Sequence, residues 1–253
     1  MELRDACAVV TGAGSGIGRA IALELAVSGM EVVCCGRRLD RLQETVAAIK
    51  QSEGMGMALA ADVTDASQVQ RLMDAIMKHR GTVDVLFNNA GSFNSIAGVH
   101  EVDVETWWDD VTVNLLGPLL LIRAILPHMM ARDSGIIINM NGGRPVGGTG
   151  YACGKAGLME LTRILNDELR MQNSSILVFG AGPGLVRTEM TELQAESEAG
   201  RRWIPSTYES FQRGRLRRPE DVAQATVRLL QTATLADSGK SYGPDTDFGE
   251  WGT

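Results

Sequence analysis

Short β-branched, apolar runs alternate along this chain with longer stretches of helical period, and few architectures accept that alternation. The runs fall at 6–11, 31–35, 57–60, 83–88, 135–140, 175–180 and 239–242. Between them lie stripes with an apolar residue every three or four positions, such as Leu39, Leu42, Val46 and Ile49, or Val69, Leu72, Met73 and Ile76. Strand-helix-strand units of this kind build an α/β fold, a doubly wound parallel sheet with helices on both faces. A chain of 253 residues, 44% of them hydrophobic, is enough for one such domain and its core.

A helix is expected over 104–130, kinked near Asn114 because Pro118 removes one ladder donor. From 187 to 218 neither period holds, and that stretch is expected to be a mobile substrate lid. The net charge of -7 argues against nucleic-acid and membrane-surface partners. Cys7, Cys34, Cys35 and Cys153 lack disulfide or metal-ligand spacing and read as reduced packing residues in strands or on a buried helix face. His79, His100 and His128 are isolated, so no metal site is expected. The first residues carry no signal or transit pattern, and the longest nearly apolar stretch, 115–122, is far short of a membrane span. These features point to a cytoplasmic protein.

The turn at 11–18, Thr-Gly-Ala-Gly-Ser-Gly-Ile-Gly, joins the first strand to the first helix. It departs from strict G-x-G-x-x-G spacing, yet Gly16 and Gly18 let a pyrophosphate approach backbone N–H groups at a positive helix end. No G-K-[ST] closes it, which excludes a P-loop. Where an acid for the ribose hydroxyls would follow the second strand, the chain has Gly36-Arg37-Arg38. The planar fork of Arg37 suits a 2′-phosphate and favours NADP over NAD.

Tyr151 and Lys155 stand four residues apart, on one face of a helix. A phenol titrates near ~10 in water, so proton exchange near neutrality asks for about 3 to 4 kcal/mol of help, which a neighbouring ammonium can supply. Taken in order, 11–18, Asp62-Val63, Asn88-Asn89-Ala90-Gly91, Asn114, Tyr151 with Lys155, and Pro183 through Thr188 closely resemble the single-domain short-chain dehydrogenase/reductase family across nearly the whole chain.

That resemblance implies a Rossmann-type sheet and an oxidoreductase moving a hydride between NADP(H) and a carbonyl or alcohol. Gly12, Ser15, Gly16, Ile17 and Gly18 would hold the pyrophosphate, Asp62 and Val63 would border adenine, and Asn89, Ala90 and Gly91 would line the cofactor's floor. Pro183, Gly184, Val186 and Thr188 would hold the carboxamide end. Tyr151 would exchange the proton, Lys155 would bind the nicotinamide ribose and acidify the phenol, and Asn114 would anchor a water. Such proteins assemble as homodimers or homotetramers through the long helices, where Leu119, Leu120, Leu158 and Leu161 could form a seam.

One departure stands out. The family usually places a serine roughly 12 to 14 residues before the tyrosine, but that interval here holds Ile137, Ile138 and Asn139. With 141–150 shortened, Asn141 and Gly142 fall at the serine positions. Asn141 could polarise a carbonyl through its amide, and Thr149 is a lesser candidate. The alternative is a dinucleotide-binding protein with little turnover, acting as a sensor or partner subunit. Trp203 and Phe211, among the arginines of the expected lid, are substrate candidates; the competing reading is that they pin the segment down while the arginines face water.

Overall fold

The computed structural model describes residues 1–247. The apolar runs become seven strands: β1 (Cys7–Thr11), β2 (Glu31–Gly36), β3 (Met55–Ala60), β4 (Val85–Asn88), β5 (Ile136–Met140), β6 (Leu177–Ala181) and β7 (Ser241–Tyr242). They lie parallel in the order β3-β2-β1-β4-β5-β6-β7. Register is tight, with Val9 opposite Val33 on one side and Leu86 on the other. The chain winds outward from β1 to β3, then crosses back to place β4 on the other side of β1, and a cleft opens at the carboxyl ends of the strands where the direction reverses.

Alternate strand residues feed two cores. Ala8, Val10 and Ile138 point to one face, covered by α1 (Gly16–Val27), α2 (Leu39–Gln51) and α10 (Pro219–Thr232). Cys7, Val9 and Ile137 point to the other, covered by α3 (Ala66–Arg80), α5 (Gly117–Arg132) and α6 (Thr149–Met171). Both predicted stripes are the inward faces: Leu42, Val46 and Ile49 bury on one side, Val69, Leu72, Met73 and Ile76 on the other, each large side chain stabilising by roughly 1.5–3 kcal/mol. Leu39, expected in the first stripe, is exposed. Cys7, Cys34 and Cys35 are buried, whereas Cys153 faces solvent.

The expected helix over 104–130 forms as α4 (Val104–Val111) and α5, joined by a π-helical turn at Thr112–Leu116. Pro118 has no N–H for the carbonyl four residues back, and the ladder slips by one residue there, which places Asn114 inside the bulge. The run Val104–Arg132 is, contrary to the expectation from 115–122 alone, long and apolar enough to cross a membrane by length and composition. It packs on the sheet through Leu121, Ile122, Ile125 and Met129. The segment expected to lack period is also helical: α7 (Glu189–Glu196), α8 (Glu198–Trp203) and α9 (Pro205–Gln212). These helices run only six to eight residues, too short for an apolar stripe to repeat, which hid them from a periodicity reading.

Candidate active site

At the carboxyl end of β1 the backbone turns through Gly12 at φ +66, a left-handed conformation that favours glycine. A side chain there would also meet Asn89 Nδ2 at 2.8 Å. Gly18 serves packing: its Cβ would lie 2.4 Å from the Gly12 carbonyl oxygen, so only glycine lets α1 close on β1, and Gly18 does not line the cleft. Ser15, the N-cap of α1, forms no side-chain cap hydrogen bond, and the first turn carries no acid. Its amides are therefore left to an anion.

The cleft, about 300 Å³, runs from Gly12, Ser15, Gly16 and Ile17 past Arg37, Asp62 and Val63. It continues over Asn89, Ala90 and Gly91 to Tyr151 and Lys155, with Pro183, Gly184, Val186 and Thr188 opposite. Residues scattered across the chain thus share one groove. Sequence reasoning had not counted Arg41, Val113, Met140, Glu189, Met190 or Thr191 among its lining. Arg38 lines the cleft beside Arg37, 3.5 Å from Ser15 Oγ and 3.7 Å from Glu189. Thr11 is a hub that reasoning also missed: its hydroxyl accepts from the Asn89 and Ala90 amides, and its carbonyl accepts from Asn89 Nδ2.

Tyr151 and Lys155 emerge from the first turns of α6, whose start is braced by Trp107 Nε1 donating to Thr149 Oγ1. Thr149 is thereby engaged as a brace. Lys155 is buried, and its Nζ donates to the Met140 carbonyl at 2.8 Å, 5.9 Å from the centre of the Tyr151 ring. The expected acidification of the phenol is not what the protein groups produce. Burial pushes Tyr151 up to about 12 and Lys155 down to about 8, because both charged forms lose water.

Asn114 is fully buried, and its Nδ2 donates to the carbonyls of Ser92 and Asp110. It stands beneath Gly91 and outside the lining of the cleft. Asn141 does reach the cleft, but its Nδ2 donates to Ser241 Oγ at 3.0 Å and its buried Oδ1 has no partner among the described residues. One of the two amide hydrogens expected to face a carbonyl is thus engaged by Ser241. At Gly142 a Cβ would lie 2.1 Å from Tyr151 Oη, so the phenol fills the space of the side chain this position lacks.

Trp203 and Phe211 do not line the cleft. Trp203 lies against Gly98 and Gly147, and Phe211 sits beneath the Arg187 guanidinium at 5.9 Å. Several arginines of the segment pair with carboxylates: Arg202 with Glu101, Arg213 with Glu209, Arg217 with Asp245, and Arg218 with Asp221. Aromatics pin this segment down, and its charges are largely answered by the protein itself. Among the described residues, no group of three or more His, Cys, Asp or Glu side chains is placed to hold a metal ion.

Comparison with known proteins agrees with this geometry. Residues 6–199 match the family model for short chain dehydrogenase. An uncharacterized oxidoreductase of Staphylococcus saprophyticus is 35% identical over 239 residues, covering 91% of this chain and 93% of its own. A 3-oxoacyl (acyl-carrier-protein) reductase of Thermotoga maritima is 31% identical over 255 residues, covering 97% and 98%. A variant of actinorhodin polyketide ketoreductase solved with NADPH superimposes with a TM-score of 0.85 at 29% identity, over 94% of this chain and 95% of that one. With a glycine turn at the switch point of a parallel sheet, a tyrosine and lysine facing the same groove, and a family match over most of its length, the chain belongs to the short chain dehydrogenase family.

Proposed function

We propose that the protein reduces a carbonyl compound with NADPH, Tyr151 giving the proton. The observation that carries this reading is the convergence of the glycine turn, Arg37 and the Tyr151–Lys155 pair on one groove, although they lie far apart in sequence. The residues suit a dinucleotide: the uncapped, acid-free end of α1 offers amides to a pyrophosphate, and the exposed Arg37 and Arg38 offer guanidinium forks to a 2′-phosphate. The relative solved with NADPH supports the choice of NADP over NAD.

Bound nicotinamide would supply the hydride. The protein does the rest. A phenol pushed up to about 12 holds its proton at neutral pH, which fits a donor to the oxygen that becomes alkoxide-like as a carbonyl is reduced. Lys155, buried and held by Met140, keeps a positive charge near that oxygen below about pH 8. We read Asn114 as bracing the floor under Gly91, and the 187–218 segment as a lid that meets the cleft through residues 188–191. Assembly as a homodimer or homotetramer is supported by exposed Leu119 and Ile164 on α5 and α6, whereas Leu158 belongs to the core. Sedimentation at micromolar concentration tests it; a monomer would end the proposal.

A second reading, nucleotide binding with little turnover, draws on Gly142, which supplies no hydroxyl beside the phenol. Following reduced-nicotinamide absorbance with NADPH and a panel of ketones, aldehydes and quinones separates the two. Turnover lost in Tyr151→Phe supports the reductase; tight NADPH binding with no turnover across the panel supports the sensor.

A further inference from the structure

Tyr151 is gripped from outside its own helix. Phe93 stacks on it with ring centres 4.6 Å apart and planes 15° from parallel, and Phe93 is itself buried. Phe93 lies in an irregular stretch after β4, where no strand or helix ladder fixes the backbone. The Asp110 carboxylate, fully buried and without a salt bridge among the described residues, does so instead. It accepts from the amides of Asn94 and Ser95 at 3.0 and 2.9 Å and from the hydroxyls of Ser92 and Ser95. A buried carboxylate is tolerated only when such donors surround it, so the donors are held as firmly as the charge requires. Asn114 ties Ser92 from the other side, through its carbonyl.

The slot that results has little slack. A Cβ on Gly148 would meet Phe93 Cζ at 2.5 Å, one on Gly150 would meet Ser95 Oγ at 2.7 Å, and one on Gly142 would meet the phenol oxygen at 2.1 Å. The start of α6 thus packs on the 92–95 stretch, and the Tyr151 ring is held between Phe93 and the backbone at Gly142. We infer that Phe93 is a positioning residue that sets the plane and depth of the Tyr151 phenol, and that buried Asp110 anchors it by organising the 92–95 stretch. The inference rests on the reading of Tyr151 as the proton donor.

The test uses the full chain with tyrosine isotope-labelled at its phenol carbon and NADPH added, Tyr151→Phe identifying the Tyr151 resonance. Phe93→Leu, which removes the flat face, is expected to shift that resonance. It should also lower kcat for reduction of menadione or decalone about tenfold while the Kd for NADPH changes less than about twofold. Asp110→Asn should move both readouts in the same direction. Phe93→Met, whose flexible unbranched side chain fills the slot differently, carries the same expectation should the leucine variant fail to fold. An unchanged kcat in a folded Phe93 variant would overturn the inference even with a shifted Tyr151 resonance, because loss of a ring stacked at 4.6 Å moves that resonance by itself. Tyr151→Phe keeps the two ideas apart. If that variant retains kcat, the proton-donor reading fails; if it is inactive while the Phe93 variants match the parent, only the positioning role falls.

Discussion

Placing a serine at position 142, one of the two positions at which the family resemblance puts one, should harm this protein. The Cβ of Gly142→Ser would fall 2.1 Å from Tyr151 Oη and 2.6 Å from its Cζ, whereas non-bonded contacts of a real Cβ do not close below 3.0 Å. The phenol must therefore retreat by about 1 Å. It cannot do so freely, because Phe93 covers the ring at 4.6 Å and Gly148 backs Phe93. Displacing a reacting group by about 1 Å can lower turnover on the order of 10²-fold, and overpacking costs about 1–3 kcal/mol of stability. The assay is steady-state oxidation of NADPH with a carbonyl substrate, alongside thermal unfolding. The expected outcome is a kcat reduced about 10²-fold, a Tm lower by a few degrees and little change in KM for NADPH. A variant with raised kcat and unchanged Tm would refute the reasoning, since the site would then lack a donor rather than be sterically full.

Arg37→Ala should weaken NADPH more than NADH, by about 2 kcal/mol or roughly 30-fold, as measured by nicotinamide fluorescence; equal losses would remove Arg37 from the 2′-phosphate. Asp110→Ala leaves several buried donors without an acceptor and should cost about 2–4 kcal/mol in urea unfolding, against less than about 1 kcal/mol for exposed Asp109→Ala. The pH dependence of stability has a defined sign. Cys7, Cys34 and Cys35 are raised by burial from 9.0 to about 12, so above pH 9 the unfolded chain loses three protons that the folded chain keeps. Lys155, lowered from 10.5 to about 8, adds one in the opposite sense between those values. Stability should rise slightly from pH 8 to 9 and then fall with a net slope of two protons, about 3 kcal/mol per pH unit, up to pH 10, above which buried Tyr151 and Tyr242, both raised from 10.0, steepen the fall. Urea unfolding at stepped pH checks this, and Cys34→Ala should remove about one proton from the slope.

Periodicity and local chemistry made the sheet and most of the groove legible. Buried strands need apolar residues on both faces, and helices covering them need a stripe, so the seven strands and the inward faces of α2 and α3 could be read from residue order alone. The glycine turn and the Tyr151–Lys155 spacing are likewise local constraints, fixed by a left-handed φ and by one helical turn. Tertiary structure decided what those side chains meet. Whether Lys155 acidifies the phenol or donates to Met140, whether the Asn141 amide meets Ser241, and which face of Tyr151 Phe93 covers all depend on approaches between segments tens of residues apart. The same holds for the protonation of Tyr151, because burial is a property of everything packed around a group, and loss of water there outweighs a neighbouring charge whose own hydration is lost as well.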